Sequence, residues 1–158
     1  MNKDIDLQQL AETVVQENVD MERLLASGSL IKRLVARFTN TREGKTTKQI
    51  SLLSNDQLVV FVNHIEQKFA KEGVQIQTAC ENVLEIVIDI VINRLMINES
   101  FATNILEKFS LDFIRRIEEA LDYKALESSF IGCPEVSQSF IGLKDVASKI
   151  AQETETSC

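Results

Sequence analysis

The sequence predicts an all-α fold: one domain, an irregular bundle of six or seven helices around a central apolar helix at about 77–97. Three observations carry this expectation. Five Gly and one Pro in 158 residues are too few for the turns of a β-sandwich or a doubly wound sheet. Apolar residues recur at helical spacing along most of the chain. The most apolar stretch is polar only at Glu81, Glu85, Asp89 and Asn93, each four residues from the last. That period belongs to a helix with one wetted stripe and not to a strand. A chain of this length buries roughly 70% of its unfolded surface and needs no staple.

The elements follow in order. Leu7, Leu10, Ala11, Val14 and Val15 share a face behind Asp4 or Asp6 as N-cap. A second helix is expected after Asn18 or Asp20, through Leu24, Leu25, Leu30, Ile31, Leu34, Val35 and Phe38, with a break or kink at Ser27-Gly28-Ser29. Residues 39–47 lack large apolar side chains and read as an exposed loop. Ser54-Asn55-Asp56 caps a helix whose Leu58, Val59, Phe61, Val62, Ile65 and Phe69 fall together, and Gly73 ends it. The central helix follows. Phe101, Ile105, Leu106 and Phe109 come after a break at 98–100, and Ser110 or Asp112 caps a helix through Phe113, Ile114, Ile117, Ala120 and Leu121. A short amphipathic helix at 140–151 completes the domain, 1–151. Residues 126–142 are expected to be less regular, and 152–158 to be a frayed polar tail.

Composition excludes several chemistries. Cys80, Cys133 and Cys158 are odd in number and widely spaced, which makes neither a disulfide framework nor a thiolate zinc site. The first residues hold no apolar run of the secretory kind, so a reducing cytoplasm is the expected compartment. The run 83–97 carries Glu85, Asp89, Asn93 and Arg94. A carboxylate at a bilayer centre costs about 3 kcal/mol, so this is a core helix and no membrane partner is expected. The lone His64 has no second ligand at helical spacing, Cys80 has no neighbouring base, and Glu118-Glu119 point to different sides of a helix. Gly44-Lys45-Thr46 lacks the earlier Gly and the strand of a phosphate loop. No catalysis, metal or cofactor is expected.

Two segments could meet a partner. The net charge is −7 but uneven: 1–30 sum to −4, 31–48 to +5 and 49–158 to −8. Lys32, Arg33, Arg37, Arg42, Lys45 and Lys48 supply the basic segment, which could grip phosphates through counterion release or meet an acidic protein. The other is an internal echo. Ser129-Phe130-Ile131-Gly132-Cys133-Pro134-Glu135-Val136 returns ten residues later as Ser139-Phe140-Ile141-Gly142-Leu143-Lys144-Asp145-Val146. Phe130, Ile131, Phe140 and Ile141 either anchor a connection on the bundle or dock into equivalent pockets of a partner. Ser110-Leu111-Asp112-Phe113-Ile114 resembles the short hydrophobic-acidic peptides that bind DNA sliding clamps, although its apolar residues are also the ones a core requires.

The function these observations favour is a non-catalytic regulatory or adaptor protein that works by protein–protein docking, of the sort common among bacterial and phage accessory factors. The runner-up is a nucleic-acid-associated transcription or replication regulator using 31–48. A homodimer is a further expectation from so apolar a central helix.

Overall fold

The computed structural model describes residues 6–26, 47–98 and 104–156. These form an all-α structure with five helices, α1 (Leu7–Ala26), α2 (Asn55–Lys71), α3 (Val74–Ile97), α4 (Leu111–Phe130) and α5 (Pro134–Thr156). Residues 47–51 and 104–106 are helical as well, and there is no strand among the described residues. Two compact units divide the chain, Met1–Val87 and Ile88–Cys158, and the division falls inside α3.

In the first unit α1 starts where Asp6 Oδ1 accepts the Gln9 N–H at 3.1 Å. It does not stop at 18–20, where a new helix was expected. Gln16 Nε2 donates to Asp20 Oδ1 at 3.0 Å, an i,i+4 pair that holds the turn helical. Asn18 is used across helices, accepting from Asn82 Nδ2 at 3.0 Å. Ala11, Val14, Val15 and Val19 form the buried face. The expected kink at 27–29 lies outside the described residues. α2 begins with a complete capping box: Ser54 accepts the Gln57 N–H at 3.2 Å while Gln57 Oε1 accepts the Ser54 N–H at 2.8 Å. Both satisfy donors that the helix start would leave bare. Leu58, Phe61, Val62 and Ile65 are buried. Only Glu72 and Gly73 separate α2 from α3, which starts three residues earlier than its pattern suggested.

The row Glu81, Glu85, Asp89 and Asn93 is exposed along α3, while Ala79, Cys80, Val83, Leu84, Val87, Ile88, Val91, Ile92 and Leu95 are buried. The polar period therefore marks the wetted edge, as its spacing predicted. Asn82 Nδ2 also donates to Glu22 Oε1 at 3.0 Å, so this part-buried amide ties α3 to α1.

The second unit is built on an antiparallel pair, α4 and α5. Ser110 caps α4 by accepting the Phe113 N–H at 3.2 Å. Phe113, Ile114, Ile117, Leu121 and Ala125 are buried from α4, and Leu143, Ala147, Ile150 and Ala151 from α5. Each large side chain so buried contributes roughly 1.5–3 kcal/mol. The Phe109 and Phe113 rings pack with centroids 4.5 Å apart, their planes inclined at 43°. Polar pairs run along the seam: Arg115 with Glu155, Ser148 with Glu118, Lys144 with Asp122, and Ser137 with the Ala125 carbonyl.

Here the structure corrects two expectations. Residues 126–142 are helical except for 131–133. Pro134 occupies the first position of α5, where its missing N–H costs nothing, and Gly132 takes the left-handed conformation at φ +81°. The breakers thus make one tight turn between two long helices and no irregular segment. Likewise 152–156 are helical and not frayed. The Thr154 and Thr156 hydroxyls bond back to the Ile150 and Gln152 carbonyls at 2.9 and 3.1 Å.

Candidate docking surface

Extending α4 to Phe130 changes what its sequence means. With the core on the Phe113, Ile117, Leu121 side, Tyr123, Leu126 and Phe130 sit at i, i+3 and i+7 on the opposite side of the same helix. All three are open to solvent: Tyr123 is 69% exposed, Leu126 56% and Phe130 90%. Ile131, the first turn residue, is 72% exposed, and Val136 and Ile141 on α5 are exposed as well. Helix α4 is therefore apolar on two faces, one covered by its own unit and one not. Scattered surface apolar residues are ordinary, but a contiguous helical stripe of aromatic and aliphatic side chains is the usual mark of a contact surface.

The turn is held firmly. The Ile131 N–H donates to the Glu127 carbonyl at 3.1 Å, Gly132 N–H to Ser129 at 3.2 Å and Cys133 N–H to Ser128 at 2.9 Å. α5 then starts with the Ser137 N–H on the Cys133 carbonyl at 3.1 Å. Phe130 and Ile131 are exposed on a fixed backbone.

Charge around the stripe is lopsided. From 111 to 156 the chain carries five basic and nine acidic residues. Lys124 faces Asp89 at 3.5 Å, Lys144 faces Asp122 at 2.9 Å, and Arg115 holds Glu118 at 2.8 Å together with Glu155. Arg116 is also engaged. Hydrogen bonds to Glu155 and Asp122 raise the pKa of Arg115 and of Lys144 above their ordinary values, so both stay cationic. Glu119, Glu127 and Glu135 are exposed and carry no side-chain partner among the described residues.

Of the residues singled out from sequence, Lys32, Arg33, Arg37, Arg42 and Lys45 lie outside the described residues. Lys48 is exposed among the helical residues 47–51, its carbonyl accepting the Ser51 hydroxyl at 2.8 Å. The two copies of the echo fold differently. Phe130 and Ile131 span the end of α4 and the turn, whereas Phe140, which is half-buried, and Ile141 lie inside α5. Phe113 and Ile114 of the clamp-like peptide are fully buried, so that resemblance offers nothing to a partner. Tyr123 and Leu126 were missed, because the α4 pattern was followed only as far as Leu121. The signal was present in the 123, 126, 130 spacing.

No protein-family model matches this chain, and no match is found among curated proteins or solved structures.

His64 lines a shallow cleft of about 170 Å³ with Gln8, Glu12, Lys68, Lys71 and Glu72. Residues from α1 thus join its own helix there, which spacing within one helix could not reveal. Cys80 is wholly buried, and desolvation raises its thiol pKa, with Lys68 opposing and Glu72 adding. Among the described residues no group of three or more His, Cys, Asp or Glu side chains is placed to hold a metal, and no helix is long and apolar enough to cross a membrane.

Proposed function

We propose that this chain is a non-catalytic adaptor or regulatory protein that captures a protein partner on the outer face of α4, through Tyr123, Leu126, Phe130 and the adjoining Ile131. The observation that carries the reading is the near-complete exposure of Phe130 at the end of a helix whose backbone is fully hydrogen-bonded into its turn. A large aromatic ring on a fixed backbone has only two side-chain torsions to freeze on binding, and covering it gains roughly 1.5–3 kcal/mol. Aromatic anchors of this kind dominate the energetics of contact surfaces.

The test is affinity purification of the parent chain and of Leu126→Asp and Phe130→Asp from the native host, with circular dichroism on each. A docking face predicts unchanged helical spectra and thermal midpoints within a few degrees, with the co-purifying protein lost from both variants. Unfolding of both variants would make these side chains structural, and retention of the same protein would place its contact elsewhere.

A further inference from the structure

The chemistry of the occupant can be taken further, on the footing that the α4 face is a docking surface. We infer that it receives an amphipathic helix of a partner protein whose polar flanks are basic.

Three features lead there. The stripe from Tyr123 to Phe130 covers two helical turns, about 10 Å. That suits the i, i+3 or i+4, i+7 anchors of a helix laid along it. Its charged neighbours without a partner are carboxylates: Glu119 precedes Tyr123 by one turn, Glu127 follows Leu126, and Glu135 follows the turn. All three are exposed and without a side-chain partner among the described residues, while Arg115, Lys124 and Lys144 are each already paired with an acid. An approaching surface therefore meets uncompensated negative charge around an apolar centre. Cationic flanks would fill that ring, and anionic ones would be repelled. A second copy of this chain is the poorer occupant, because it brings the same carboxylates to the same stripe and sets like charge against like.

The chain supplies its own reporter. It has one Tyr and no Trp, so intrinsic emission reads Tyr123 within the face. The full chain is titrated with two helical peptides of identical leucine spacing and no aromatic residue, one filled out with lysine and the other with glutamate. The lysine peptide should perturb Tyr123 emission saturably, and about tenfold more tightly than the glutamate peptide, with affinity falling as salt rises. Glu119→Lys, Glu127→Lys and Glu135→Lys together should reverse the preference. The same charge change placed on Glu81, Glu85 and Glu153 should leave it in place, and Phe130→Asp or Leu126→Asp should abolish both titrations.

Equal binding of the two peptides with loss on Phe130→Asp would keep the docking surface and overturn the basic partner. An equal effect from the distant charge change would reduce the preference to net charge and overturn it too. Indifference of both peptides to Phe130→Asp and Leu126→Asp would remove the docking reading itself. A sedimenting dimer that becomes a monomer in Phe130→Asp would assign the face to a second copy and exclude the basic helix.

Discussion

The Ser137 hydroxyl donates to the Ala125 carbonyl at 2.8 Å, a buried hydrogen bond that joins α5 to α4 across twelve residues of sequence. The Ala125 carbonyl has a second lone pair for its own helix, so losing the hydroxyl leaves no acceptor orphaned. Ser137→Ala should therefore cost only about 1 kcal/mol. Ser137→Asp would put a charge at a residue only 7% exposed and should cost several times more. Urea unfolding followed by circular dichroism checks both, and equal stability of the two variants would deny that the site is dry.

The two glycines of the echo should respond to alanine with opposite signs. Gly132 sits at φ +81°, where a Cβ costs about 1–2 kcal/mol, so Gly132→Ala should destabilise. Gly142 lies inside α5 with nothing within 4 Å of an added Cβ. Gly142→Ala should stabilise by about 0.5–1 kcal/mol through helix propensity. Matched shifts in thermal midpoint of the same sign would contradict the different conformations of the two copies.

The capping box offers an asymmetric pair. Ser54→Ala removes the acceptor of the Gln57 N–H and should cost about 1 kcal/mol. Gln57→Ala removes the return bond to the more exposed Ser54 N–H and should cost less. Ser54→Asp should restore most of what alanine loses, since aspartate caps as well and favours the helix start.

Thiol chemistry separates the described cysteines. In a Cys158→Ser background, Cys133, exposed at the turn, should react with a thiol reagent at once, and Cys80 only as the protein unfolds. The folded pKa of Cys80 is raised above its ordinary 9.0, so the unfolded chain loses this proton first as pH rises. The contribution of Cys80 to stability should be level below about pH 9 and decline above it. Cys80→Ala should remove that part of the alkaline slope, and an identical slope in the variant would assign it to other groups.

Much of the fold was legible because its signals are local. The Ser54/Gln57 box, the Ser110 cap and the four-residue polar period of α3 each depend on residues within a turn or two, and each lies where spacing put it. Breaks were read less well. Asn18 and Asp20 resemble helix ends until Asn82 and Gln16 engage them, and Asn82 lies 64 residues from Asn18. Gly132 and Pro134 read as marks of a less regular segment over 126–142, yet the break is a three-residue turn, because one suits a left-handed position and the other the first turn of a helix.

By itself the sequence determined that the chain is helical, where most of its core lies and that its charge is unevenly spread. Those properties follow from periodicity and composition, which need no partner in space. Only the tertiary structure decided which apolar residues remain uncovered. Phe113 and Phe130 are equally hydrophobic members of one helix, and no local rule separates them. The first is wholly buried with the Phe109 ring against it, while the second falls on the side of α4 that its own unit leaves open.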